Sequence, residues 1–282
     1  MRSLSLHRGI AVLVVGALLA GCSSLPNGRG WGQDATPLPG WKRIGDAAAD
    51  AALDRGTWAL AGAALVFGLS DLDQRVSDWA IDHTPVYGSQ QTAGDAAPFV
   101  RDLANRIHVA SVLATPSGDD LPVWALSKGK GYAVGLLAVG LNGAVTQRLK
   151  VGVGRTRPRN GDTRSFPSKH ASDVATKLTL ASRNVETLPI PEPAKTGVRV
   201  GFAGLALAGG WARVEAGGHF PSDVLAGWAI GRFLAAFMND AFMGLGDDPS
   251  GAADHGSRRR FHASFAPSIA GDAFELRVSV AF

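Results

Sequence analysis

His219 and Asp223 stand four residues apart in "GGHFPSDV", and Pro221 between them suits the first turn of a helix, where its missing N–H costs nothing. At that spacing around a helix start the two side chains can meet. A carboxylate that takes the Nδ1 proton fixes the imidazole tautomer, leaves Nε2 free as a nucleophile and stabilises the positive charge that develops. The unpaired N–H groups and partial positive charge of the same helix start suit a phosphate. The pair also reads as an ordinary helix cap and its neighbour, and residue types alone leave both readings open.

A second histidine, His170, lies in "SFPSKHAS", where Pro167 and Ser168 lead into a helical run. From Arg148 to Lys169 run seven basic residues: Arg148, Lys150, Arg155, Arg157, Arg159, Arg164 and Lys169, opposed only by Asp162. Such a run is a solvated face, a nucleic-acid surface or a compact anion site. Phe166 is the one aromatic residue among them, which argues against stacking on nucleic acid. Arginine offers a planar fork to phosphate oxygens and lysine a point charge, which is the chemistry of the third reading.

The blocks fall in a definite order: Lys150, six residues, Arg157-Pro158; then Pro167-Ser168-Lys169-His170; then Arg213, five residues, His219, three residues, Asp223. This pattern resembles the type 2 phosphatidic acid phosphatase (PAP2) superfamily, whose blocks read K-x6-R-P, P-S-G-H and S-R-x5-H-x3-D. Non-specific acid phosphatases and vanadium haloperoxidases belong to the same superfamily. The resemblance covers residues 150–223 and implies a helical bundle that hydrolyses phosphomonoesters or lipid (pyro)phosphates. It implies that His219 attacks phosphorus to form a phosphohistidine, that Asp223 orients it, and that His170 protonates the leaving alkoxide and then activates water. Lys150, Arg157 and Arg213 would hold the equatorial oxygens, with Ser168 and the backbone N–H of Lys169 completing the cradle. No metal and no other cofactor is implied, and vanadate is expected to inhibit.

Two positions depart from the pattern: Lys169 replaces a glycine and Ala212 replaces a serine. Lys169 either forces a side chain into a place that needed glycine's backbone freedom, or adds a fourth positive charge to the phosphate site. A non-catalytic envelope lipoprotein that binds anionic headgroups is the alternative these departures keep open; a vanadium-dependent haloperoxidase is the other.

What must position these residues is a set of helices. Hydrophobic residues make up 46% and charged residues 18% of the 282, which suits a packed globular chain and not a disordered one. Apolar stretches at 57–69, 99–113, 131–149, 171–183, 198–212 and 222–243 predict an all-α bundle of about six helices. The uncharged run 131–147 falls short of the roughly 20 residues of a membrane span, so buried bundle helices are expected. Period-2 alternation at Leu276, Val278 and Val280 predicts a short C-terminal β-hairpin.

The expected layout is a signal peptide at 1–21, a flexible tether at 22–45, a helical domain at 46–245, a linker at 246–260 and the hairpin at 261–282. "LAGC" resembles a bacterial lipobox, which makes Cys22, the only cysteine, a lipidation site. That implies an outer membrane lipoprotein facing the periplasm, held to the membrane through its N-terminal lipid, with a phosphate-bearing and preferably lipid substrate. Without Arg2 and Arg8 the 28 basic residues fall to 26 against 24 acidic, so net charge alone gives no reason to expect a nucleic-acid partner.

Overall fold

The computed structural model describes residues 23–244, together with the backbone of 262–270 and 273–281. The expected signal peptide 1–21, the expected lipidation site Cys22 and the expected linker 246–260 lie outside the described residues. Residues 23–244 contain eight helices and no strand: α1 Trp41–Leu53, α2 Arg55–Gly68, α3 Leu72–His83, α4 Gln90–Ala114, α5 Leu121–Val153, α6 Lys169–Glu186, α7 Glu192–Glu215 and α8 Pro221–Phe242. The expectation of about six is therefore corrected to eight. The two additions, α1 and α3, are short and carry charged residues through their length, so they show no apolar run to announce them.

The long helices also begin earlier than their apolar stretches. Ser89 caps α4 by accepting from the Thr92 N–H at 3.1 Å, and Asp120 caps α5 by accepting from Val123 at 3.1 Å. Gly154, at φ 61°, ends α5 in the left-handed conformation that glycine adopts most readily. With 33 residues α5 is about 50 Å long, at roughly 1.5 Å per residue. No described helix is long and apolar enough to cross a membrane.

Helix α6 is the centre of the bundle, packed against α4, α5, α7 and α8. Its buried face includes Ala171, Val174, Leu178 and Ala181, and Val174 and Leu178 cluster with Val100 and Ala104 of α4. Helix α8 can approach α6 closely because Gly227 and Gly231 carry no side chain where the two meet. A Cβ on Gly227 would stand 2.6 Å from the Ser168 carbonyl oxygen, and one on Gly231 would strike the Ser172 carbonyl. This contact brings the start of α8 against the start of α6. Those are the two helix starts that carry His219 and His170.

Within the tether expected at 22–45, the described residues 23–45 are docked on the bundle. Trp31 is 2% exposed and clusters with Val112 and Val134, and its backbone N–H donates to the Pro116 carbonyl at 2.7 Å. Ser23 is held too, accepting from the Gly118 N–H at 2.8 Å. A glycine- and proline-rich segment without periodicity can still dock when it carries one large aromatic anchor.

The described residues 262–270 and 273–281 belong to a separate unit. In it β1 His262–Ala270 pairs antiparallel with β2 Ala273–Ala281, His262 opposite Ala281 and Ala270 opposite Ala273.

Candidate functional site

The segments that the sequence motifs mark meet at one end of the bundle. Lys150 is in the last turn of α5, Arg157 is in the α5–α6 loop, Ser168 stands immediately before α6 and His170 lies in its first turn. Arg213 is in the last turn of α7, and His219 precedes α8, whose first turn holds Asp223. Backbone bonds lock the pieces together. The Ser168 N–H donates to the Asp223 carbonyl at 2.9 Å, and the Gly218 and His219 N–H groups donate to the Arg213 carbonyl at 3.1 and 3.2 Å. Trp124 and residues 118–122 sit at the opposite end of α5, far from this cluster.

The pair that the sequence left ambiguous does two jobs. Asp223 caps α8, since its Oδ2 accepts from the Phe220 N–H at 2.9 Å, and the same oxygen lies 3.7 Å from His219 Nδ1. Both side chains are fully buried. Ser165 donates to Asp223 Oδ2 at 2.5 Å and Arg155 to Oδ1 at 2.8 Å. Burial alone would raise the carboxyl pKa; contact with His219 and Ser165 and the Arg155 charge hold it below the usual range.

Like charges crowd the rest of the cluster. Burial, with Arg157 and Arg213 nearby, lowers Lys150 to about 8. Burial and then Arg157 lower Arg213 to about 10. Burial takes His219 to about 4, with Asp223 pulling upward against Arg213 and Lys150. Burial, then Arg213 and Arg101, take His170 to about 3. An anion entering the cluster would oppose each of these shifts, because it favours the charged form.

Unpartnered donors point the same way. Nine buried side-chain polar atoms among the described residues lack a hydrogen-bond partner, and four of them belong to this cluster: Arg157 Nε, Ser168 Oγ, Arg213 Nε and His219 Nδ1. Buried polar atoms are normally satisfied, so a concentration in one place suits a ligand. Next to it lies a cavity of about 310 Å³ lined by Arg157, Arg213, Arg159, Gln90, Gln91 and Gly218 among others. Among the described residues no group of three or more His, Cys, Asp or Glu is placed to hold a metal ion.

The two departures from the family pattern acquire a physical account. Lys169 opens α6 without a positive φ, so glycine's freedom is not required there. Its amine donates to Asp173 Oδ2 at 3.1 Å, one turn along the same helix. Ala212 is fully buried in the packing of α7.

Residues that the motifs did not single out also reach the cluster. Arg155 was one of seven basic residues with nothing to separate it from its neighbours. Asp73 and Arg101 come from α3 and α4, and Arg101 Nη1 stands 3.4 Å from His170 Nε2. No local signal in the sequence points to either.

The described helical unit is thus a bundle in which four helix ends gather two histidines, a buried carboxylate and a set of cations. Residues 131–245, the segment that holds every motif residue, match the family model of the PAP2 superfamily. A solved structure similar to it is the transmembrane PAP2 type phosphatidylglycerolphosphate phosphatase from Bacillus subtilis, at 20% identity and a TM-score of 0.49, over 65% of this chain and 94% of that one. No curated protein matches the chain.

Proposed function

We propose that the protein is a metal-independent phosphatase acting on phosphomonoesters or lipid (pyro)phosphates through a phosphohistidine. The match of residues 131–245 to the PAP2 superfamily model supports phosphatase chemistry. The observation that carries the reading is the set of buried, unpartnered donors on Arg157, Ser168 and Arg213, which a phosphoryl group would satisfy.

In this reading the His219 Nε2 lone pair forms the N–P bond while the P–O bond to the leaving group breaks, and His170 gives its proton to the departing alkoxide. Water then attacks phosphorus, His170 takes a proton back, and the N–P bond breaks. A neutral His219 is the nucleophile, which fits a group titrating at about 4. A bound phosphate dianion raises His170 from about 3, so the substrate itself helps to charge its acid. Lys150, Arg157 and Arg213 stabilise the charge on the three equatorial oxygens.

The signal-like N-terminus and Cys22 support an outer membrane lipoprotein facing the periplasm. Because Ser23 is bound to Gly118, a lipid on Cys22 would hold the bundle closely by the α4–α5 end. Lys150 lies some 29 residues further along α5, so the candidate site sits roughly 40 Å along the helix from that end.

The test is phosphate release by the purified mature protein with EDTA present, on a lipid phosphate and on a small aryl phosphate, beside His219→Ala. Expected are release that EDTA does not change, its disappearance in the variant, inhibition by vanadate, and an acid-labile phosphate on His219 after rapid quenching. A folded protein that binds phosphate and releases none from either substrate would sink the reading in favour of a binding lipoprotein.

A further inference from the structure

One buried ion network ties the PAP2 segment to the rest of the bundle. Arg155 donates through Nη1 to Asp223 Oδ1 at 2.8 Å and to Ser222 Oγ at 2.7 Å, and through Nη2 to Asp73 Oδ2 at 2.7 Å. Asp73, on α3, also accepts from the Ser222 N–H at 2.8 Å and from its hydroxyl at 2.5 Å. The guanidinium carbon lies 4.0 Å from the centroid of the Phe220 ring. Asp73 is 3% exposed and Asp223 wholly buried.

One planar guanidinium thus bridges two buried carboxylates, a geometry that a lysine cannot reproduce. Its effect on Asp223 is specific. Oδ1 is taken by Arg155, which stops the carboxylate from turning and leaves Oδ2 toward His219, Ser165 and the Phe220 N–H. The anchor on the far side of Arg155 is Asp73, outside the PAP2 segment.

We infer that Arg155 and Asp73 are positioning residues for His219: acting through Asp223, they hold its carboxylate toward the imidazole and set how strongly it draws the Nδ1 proton. The kinetic consequence rests on the phosphatase reading; the titration consequence does not. Other groups that face His219 are Arg213 from α7, Lys150 from α5, His170 from α6 and Asp223 from its own helix, and the substitutions below leave all of them in place.

The test follows the His219 imidazole by NMR through a pH titration of the mature protein. Arg155→Gln removes a cation and is expected to move the midpoint upward by about one unit; Asp73→Asn keeps the shape, removes an anion and moves it downward. Scaffolding that the His219–Asp223 pair does not feel would move neither. The acid limb of kcat/KM for phosphate release should move in the same two senses. Arg155→Gln should also lower kcat by about ten-fold or more with little change in KM, as a slightly misplaced nucleophile does. Arg155→Lys should bring the midpoint back toward wild type while kcat stays low, because the charge returns without the fork.

Unchanged midpoints in folded variants, or shifts in the same direction, overturn the inference. Should Arg155→Gln fail to fold, Asp73→Asn decides alone: a lowered midpoint supports the role and an unmoved one refutes it. A wild-type protein that releases no phosphate defeats the phosphatase reading, and the titration then judges the positioning role by itself.

Discussion

Helix α5 carries two lysines that are equally buried, each 6% exposed, and they lead opposite lives. Lys128, near the start of the helix, donates to the Val112 carbonyl and to Thr115 Oγ1 at 2.7 Å each and to the Thr115 carbonyl. It lies over the rings of Trp31 and Trp124 at 5.6 and 5.7 Å. It closes the carbonyl end of α4 and fastens the N-terminal segment. Lys150, in the last turn, donates to the Arg164 carbonyl at 2.6 Å but shares its surroundings with Arg157, Arg213 and His219. A buried cation is therefore no sign of a site by itself. The difference lies in the company: carbonyls and aromatic faces at one end, other cations and unpartnered donors at the other.

Substitutions can break or sharpen that contrast. The largest effect belongs to His219→Ala, which should lower kcat for phosphate release by about 1,000-fold or more, the loss expected when a nucleophile goes. Lys150→Ala should cost about 100-fold, in the range of removing one oxyanion donor, whereas Lys128→Met should leave turnover within about two-fold. Equal losses from the two lysines would erase the distinction.

The pH profile refines it. Lys150 loses its proton near 8 rather than at its ordinary 10.5, so the charged form prevails below that pH. The kcat/KM of wild type should fall about ten-fold per unit above it. Lys150→Arg, charged throughout, should lack that limb even if slower.

Lys128→Met should instead destabilise the fold by about 1–3 kcal/mol through its abandoned carbonyls, read from urea unfolding. The smallest change is expected for Lys169→Gly, under about three-fold in kcat/KM, because the Lys169 amine is held by Asp173. A larger effect would mean that the amine leaves Asp173 for the phosphate.

Much of this was legible in the chain. The apolar stretches located six of the eight helices, and the spacing of Lys150, Arg157, His170, Arg213, His219 and Asp223 named residues that the fold gathers at one end. What failed did so for physical reasons. Helices α1 and α3 are amphipathic and polar, so no apolar run marks them, and the 22–45 segment docks through Trp31 and its neighbours, whose contact partners are distant in sequence.

The sequence by itself determined the chemical inventory: which groups can donate, attack or carry charge, and which of them fall at helix ends, because capping and helix periodicity are local properties. Only the tertiary structure decided which of these groups face one another. The Gly227 and Gly231 contact that joins the starts of α6 and α8, the Asp173 that takes up Lys169, and the Asp73 that reaches Asp223 through Arg155 all depend on where separate helices pack. Burial and hydrogen bonding across such contacts then set the protonation of each group, and no local stretch of sequence encodes that.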